Sequence, residues 1–202
     1  MRVIIVGAGF GGLGCAIACR RQGFEVIVVD LVEKWLPLGD SIGFGANSSR
    51  LLKRWGVLEE MLPISSKAKI GTIHNYDGEV LGTDDSQGKA EAMFGYPSLI
   101  GHRGDFHTVL LDFATRQGAK IRTGCKVVRY DNDKPSVFLE SGEEVEGDIV
   151  IASDGVKSEG RTQVLGLEDA PIHSGYAVWR SFADATPLKG DPIAGHLVDN
   201  GR

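Results

Sequence analysis

Cysteine is scarce in this chain: Cys15, Cys19 and Cys125 are the three present. Three scattered thiols cannot build a disulfide framework. Cys15 and Cys19 stand four apart, on one helix face, and read as small buried apolar groups. Such usage suits a reducing compartment, so a cytoplasmic location is expected. Long apolar runs are lacking too. None reaches about 18 residues, and no membrane-spanning segment is expected. Positive charge is not in excess: 22 basic against 27 acidic side chains leave a net charge of −5. That balance excludes the basic face of an electrostatic nucleic-acid binder. The histidines, at positions 74, 102, 107, 173 and 196, have no metal-ligand spacing, and no metal site is expected. Neither internal repeats nor low-complexity tracts occur, which leaves a globular chain of ordinary proportions, 42% apolar and 24% charged.

Glycine, by contrast, is abundant, at 28 of 202 residues, where about 7% is usual. The stretch from Arg2 through Cys19 imitates a secretory signal, even to Ala16-Ile17-Ala18, but glycines at 7, 9, 11, 12 and 14 make a poor signal helix. A different reading accounts for every residue. Val3-Ile4-Ile5-Val6 is a strand buried on both faces. A glycine turn follows, then a helix from about Gly11 to Gln22, stopped by Gly23. Glu25 to Asp30 is a second buried strand, which completes a βαβ unit.

Further along, Asn47 reads as the N-cap of a helix running to Trp55 and ended by Gly56. Strands at 69–74 and 79–83 flank the turn Asn75-Tyr76-Asp77-Gly78. Residues 84–95 read as an exposed loop. Leu99 to His102 is a strand leading into a helix from about Asp105 to Gln117. Three antiparallel strands are predicted at 120–129, 137–140 and 144–146, then a buried strand at 148–152, and further strands at 176–183 and 193–198.

Gly7-Ala8-Gly9-Phe10-Gly11-Gly12 fits G-x-G-x-x-G, with Gly7, Gly9 and Gly12 in the three positions. The first glycine permits the tight turn, the second lets a pyrophosphate approach the backbone, and the third lets helix and strand pack closely. The helix start offers N–H groups and a positive dipole end to phosphate. Asp30 ends the next strand, placed for a ribose hydroxyl; Glu33 falls beyond the strand and suits that role less. The spelling alone does not separate FAD from NAD.

Four later segments resemble, in order, those of the flavin-dependent aromatic hydroxylases, the FAD-dependent monooxygenases of salicylate and p-hydroxybenzoate hydroxylase type. Gly39-Asp40-Ser41-Ile42 with Asn47 is similar to a G-A-G-I…N segment, and His102-Arg103-Gly104-Asp105-Phe106 to an H-R-x-x-L segment. The run from Asp148 through Ser153-Asp154-Gly155 to Ser158 and Arg161 resembles G-A-D-G-x-x-S-x-x-R. Tyr176-Ala177-Val178-Trp179-Arg180 resembles a strand that brings an arginine toward flavin and substrate. The resemblance implies FAD as cofactor, with Ser41, Arg103 and Asp154 at it, and NAD(P)H as co-substrate. It implies oxygen transfer to an electron-rich aromatic ring, with Arg180 on the catalytic side.

The residues carry readings of their own. Arg103 follows a strand, where a guanidinium holds phosphate in a bidentate way; an ordinary surface arginine is the alternative. Asp154-Gly155 ends a buried strand, on the side where α/β sheets take ligands; a plain turn is the alternative. Strand alternation puts Arg180 on a face with Tyr176, Val178 and Phe182, a charge among apolar neighbours that needs an anionic partner or an edge reaching water.

The expected fold is α/β: a Rossmann-like FAD-binding βαβ domain with an antiparallel β-meander, plus part of a mixed-sheet substrate domain. The FAD-binding domain is assigned residues 1–67 and 98–170, the partial substrate domain 68–97 and 171–202. Members of the family are longer and carry a later Gly-Asp segment. Gly190-Asp191 comes too soon after Asp154 and follows no buried strand, so the chain reads as an N-terminal fragment or truncated form. Asp30 in place of glutamate, and Asp40-Ser41 in place of a small pair, are further departures. Two other readings stand beside the monooxygenase: a non-catalytic remnant of that family, and an NAD(P)-dependent Rossmann dehydrogenase.

Overall fold

The computed structural model describes residues 1–36, 39–66, 71–166 and 172–177. The chain opens as predicted, with β1 (Arg2–Val6), α1 (Phe10–Arg21) and β2 (Glu25–Val29). Val3, Ile4, Ile5 and Val6 are all buried, as are Val26, Val28 and Val29. β1 and β2 are parallel, Val3 opposite Val26 and Val6 opposite Val29. α1 buries Leu13, Ala16 and Ile17, the i, i+3, i+4 stripe that faces the two strands. Complete burial of a Leu or Ile side chain contributes about 1.5–3 kcal/mol. The helix closes at Gly23, at φ +79°, whose N–H donates to the Arg20 carbonyl while the Phe24 N–H donates to that of Cys19.

The chain next builds β3 (Ser41–Phe44), α2 (Ala46–Trp55), α3 (Leu58–Met61), a 3₁₀ turn (Leu62–Ile64), β4 (Ser65–Ser66), β5 (Gly71–His74), β6 (Val80–Asp84), α4 (Ser86–Phe94), β7 (Leu99–His102) and α5 (Arg103–Arg116). β3, β7 and β4 form one antiparallel sheet in that order, with Ser41 opposite His102. β5 and β6 form the expected hairpin, its turn held by Asn75 Oδ1, which accepts from the Asp77 and Glu79 N–H groups. Residues 69 and 70 of its first predicted strand lie outside the described residues. Two expectations are corrected. Residues 86–94 are a helix, not a loop, ended by Gly95 at φ +74°. Its apolar residues Met93 and Phe94 face solvent, so the stripe that marks a buried helix is absent from its sequence. α2 begins at Ala46 behind Gly45, so Asn47 lies inside its first turn rather than capping it.

The remaining elements are β8 (Lys120–Arg122), β9 (Val127–Tyr130), β10 (Ser136–Leu139), β11 (Glu144–Glu146), β12 (Ile149–Ala152) and α6 (Glu159–Leu165). The single strand predicted at 120–129 is two strands in different sheets. β8 joins the parallel sheet, ordered β12-β1-β2-β8, whereas β9 belongs to the antiparallel meander β11-β10-β9. Gly124, at φ +63°, breaks the run between them, and the Gly124 and Cys125 N–H groups donate to the carbonyls of Val32 and Asp30. The meander covers one face of the parallel sheet: Tyr130, Val137, Leu139 and Val145 pack with Ile4, Val6 and Val29. Of the strand predicted at 176–183, Tyr176 and Ala177 are not in a strand, and the rest lies outside the described residues, as does 193–198.

Two compact units result. The first comprises residues 1–36 and those from His107 on, and the second the described residues between. This cut differs from the division at 67/68 and 97/98 drawn on sequence. β3, α2 and β7 fall in the second unit because β3 and β4 pair with β7 and not with the parallel sheet.

Candidate cofactor site

The glycine turn sits between the carboxyl ends of the central strands. The Gly7 N–H donates to the Val29 carbonyl and the Ser153 N–H to that of Val6, each at 2.8 Å. The three motif glycines meet three different constraints. Gly7 has φ +99°, and a Cβ there would stand 2.4 Å from the Ser153 carbonyl oxygen. A Cβ on Gly12 would stand 1.9 Å from the Gly7 oxygen, so helix and turn touch backbone to backbone. Gly9 meets nothing within 4 Å. Its missing side chain leaves open space over the turn, where a diphosphate would approach. Gly9 is also the N-cap of α1, with no side-chain cap and no acidic residue in the first turn, so the positive helix end is uncompensated by the helix itself.

Asp30 is half-buried and bridges backbone. Its Oδ2 accepts from the Ala8 N–H at 2.6 Å and its Oδ1 from the Val32 N–H at 2.8 Å. Each carboxylate oxygen takes two donors with ease, so both retain capacity for a ribose hydroxyl. Asp154 is held from three sides: by the Ser158 hydroxyl at 2.5 Å, the Gly160 N–H at 3.0 Å and the Tyr130 hydroxyl at 2.9 Å. Partial burial pushes its carboxyl up, but those three hydrogen bonds outweigh it, and it titrates below the usual aspartate range. Gly7, Gly9, Asp30, Cys125, Asp154 and Gly155 line one cleft of about 380 Å³. A larger hollow, about 650 Å³, is lined by residues 131–136 and α6, shares Ser153, Asp154 and Gly155 with the first, and contains none of the turn glycines.

His107 and Tyr130 escaped sequence reasoning, and Ser158 entered it only as the serine of the run that resembles G-A-D-G-x-x-S-x-x-R, with no role assigned to it. His107 is buried, with Nε2 2.7 Å from the Ala8 carbonyl oxygen; since a carbonyl only accepts, this nitrogen carries the proton. Phe10 meets its ring edge-on and Trp35 packs at a tilt. Position 107 follows the quoted H-R-x-x-L segment directly, which was the available signal. Ser158, the serine of the G-A-D-G-x-x-S-x-x-R-like run, caps α6, accepting from the Arg161 N–H at 2.9 Å. Tyr130 had no sequence signal, because its partner lies 24 residues away.

Ser41 and Arg103 belong to the second unit. Ser41 is exposed at the start of β3. Arg103 is exposed and begins α5; its N–H donates to the Asp40 carbonyl at 2.7 Å, and its side chain packs beside Gly39, itself at φ +130°. Arg180 lies outside the described residues. Among the described residues, no group of three or more acidic, histidine or cysteine side chains forms a metal site, and no helix is long and apolar enough to cross a membrane.

An FAD molecule fits these residues: an open glycine position over the turn, an uncapped helix start for its diphosphate, and an acid with spare acceptor capacity at the strand end. Known proteins agree. Residues 1–187 match the family model described as FAD binding domain. A flavin-dependent monooxygenase of Aspergillus ustus is 36% identical over 94% of this chain and 39% of its own length. The asperlicin C monooxygenase of Petromyces alliaceus is 32% identical over 90% of this chain and 40% of its own. Among solved structures, 2-methyl-3-hydroxypyridine-5-carboxylic acid oxygenase superposes with TM-score 0.73 at 25% identity, over 83% of this chain and 42% of that one. FqzB gives 0.72 at 30%, over 83% and 39%. The chain thus spans about 40% of the length of the relatives it matches. The glycine turn, its acid and the matched 187 residues place this chain in the FAD-binding domain family of the flavin-dependent monooxygenases.

Proposed function

We propose that this chain is the FAD-binding portion of a monooxygenase that hydroxylates an electron-rich aromatic or related small molecule with NAD(P)H and O2. The observation that carries the reading is the open cleft over Gly9, walled by Asp30 on one side and Asp154-Gly155 on the other. Bound FAD supplies the redox chemistry. The chain's own residues bind and orient. Gly7 and Gly12 fix the turn, the α1 amides would hold the diphosphate, and Asp30 would accept from a ribose hydroxyl. Asp154 holds the opposite wall, and His107 keeps the Ala8 peptide in place. Ser41 and Arg103 are assigned to the same cofactor, and Arg180 to the catalytic side, on the resemblance of their segments.

The domain division 1–67 with 98–170 against 68–97 with 171–202 belongs to this reading. So does a cytoplasmic location, supported by three unpaired cysteines. Purified chain reconstituted with FAD and passed over a desalting column tests it. Retained yellow flavin absorbance is the expected result. Colourless protein that instead retains NAD(H) would favour a nicotinamide dehydrogenase.

A further inference from the structure

We propose that Tyr130 is a positioning residue for the cofactor cleft, acting through Asp154; this rests on the FAD reading above. Tyr130 ends β9, is 5% exposed, and directs its hydroxyl to Asp154 Oδ2 at 2.9 Å. The room for the ring comes from α6. A Cβ on Gly160 would stand 2.8 Å from Tyr130 Cζ, 3.0 Å from its hydroxyl oxygen and 2.6 Å from Ala152 Cβ. The α6 side chain of Gln163 fixes the Tyr130 backbone from the same direction, its Oε1 accepting from the Tyr130 N–H at 2.9 Å. Tyrosine and glycine therefore form a matched pair, one filling the space that the other vacates.

Asp154 is engaged by the Ser158 hydroxyl, the Gly160 N–H and the Tyr130 hydroxyl, all from β9 and the α6 start. Its carboxylate faces the protein, so its service to the cofactor is to fix the backbone on either side. That backbone is the wall of the cleft, where the Ser153 carbonyl lies against Gly7 and Gly155 lines the open space. Tyr130 reaches the glycine turn through a short path: hydroxyl, carboxylate, loop, turn.

The test titrates FAD into the purified chain and into Tyr130→Phe, Asp154→Ala and the double variant, following quenching of flavin fluorescence. Tyr130→Phe is expected to weaken FAD binding about three- to tenfold, less than the full worth of a hydrogen bond to a charged group, because Ser158 and Gly160 still hold Asp154. In the Asp154→Ala background the same substitution should change nothing further, because its partner is already gone. Equal losses in both backgrounds would show that the hydroxyl acts independently of Asp154, and would overturn the assignment. So would unchanged affinity in Tyr130→Phe. A parent chain that takes up no FAD would sink the cofactor reading itself, a result distinct from the other two. Should Tyr130→Phe fail to fold, Gly160→Ala, whose methyl would press the hydroxyl off Asp154, must weaken FAD comparably; unchanged affinity there also overturns the proposal.

Discussion

The Ala8 N–H donates to Asp30 Oδ2 across 2.6 Å, tying the interior of the glycine turn to the end of the second strand. With the Val32 N–H on its other oxygen, the aspartate satisfies two backbone donors at once. Asp30→Ala leaves both without an acceptor and should destabilise the apo chain by about 2 kcal/mol or more. Urea unfolding measures this. An unchanged midpoint would mean that the carboxylate serves the cofactor alone.

Gly12 and Gly9 should respond in opposite ways. The methyl of Gly12→Ala meets the Gly7 oxygen at 1.9 Å, backbone against backbone, and the cost should be on the order of 3 kcal/mol or more. Gly9→Ala meets nothing and has an ordinary φ of −70°, so the apo fold should lose less than about 1 kcal/mol. Its methyl nevertheless projects where diphosphate would lie. Circular dichroism melts paired with FAD titration should find Gly9→Ala folded but poor at binding, and Gly12→Ala poor at both.

His107→Phe preserves a buried ring but leaves the Ala8 carbonyl without its donor. A loss of about 1–3 kcal/mol is expected, read as a lower melting temperature. Equal melting of the two chains would show that water replaces the imidazole.

The Tyr130–Asp154 pair should shape stability at both ends of the pH scale. Asp154 titrates lower in the fold than in the unfolded chain, so its contribution is complete above about pH 4 and disappears as acid protonates it. Burial, and then the Asp154 charge, push the Tyr130 phenol up. Its contribution is intact below about pH 10 and is lost as the pH rises further, when the unfolded chain ionises and the fold resists. Melting temperatures across pH should fall less steeply in acid for Asp154→Asn and less steeply in alkali for Tyr130→Phe. Parallel curves for all three chains would refute the linkage.

What the sequence revealed was local. Val3–Val6 and Val26–Val29 are short apolar runs, and strands buried on both faces leave no other pattern. The turn between them required glycines at fixed spacing for steric reasons that need no distant partner. The lost information was of two kinds. Residues 86–94 form a helix with little apolar periodicity, so exposure hid it. The 120–129 stretch has uninterrupted strand composition on both sides of Gly124, yet changes sheets there because the Cys125 N–H finds the Asp30 carbonyl. Pairings such as Tyr130 with Asp154 depend on which strands the topology brings together, and one sequence does not spell that out.

β1 lies between β2 and β12, yet Val3 is opposite Ile149, a residue made long after β2 is complete. On the ribosome, therefore, the first strand emerges with one flank matched early and the other left bare until Asp148–Ala152 has cleared the exit tunnel. A nascent chain halted before that point offers a four-residue apolar strand with its alternate amides and carbonyls free along one side, the kind of edge that chaperones shield and that stray strands adopt.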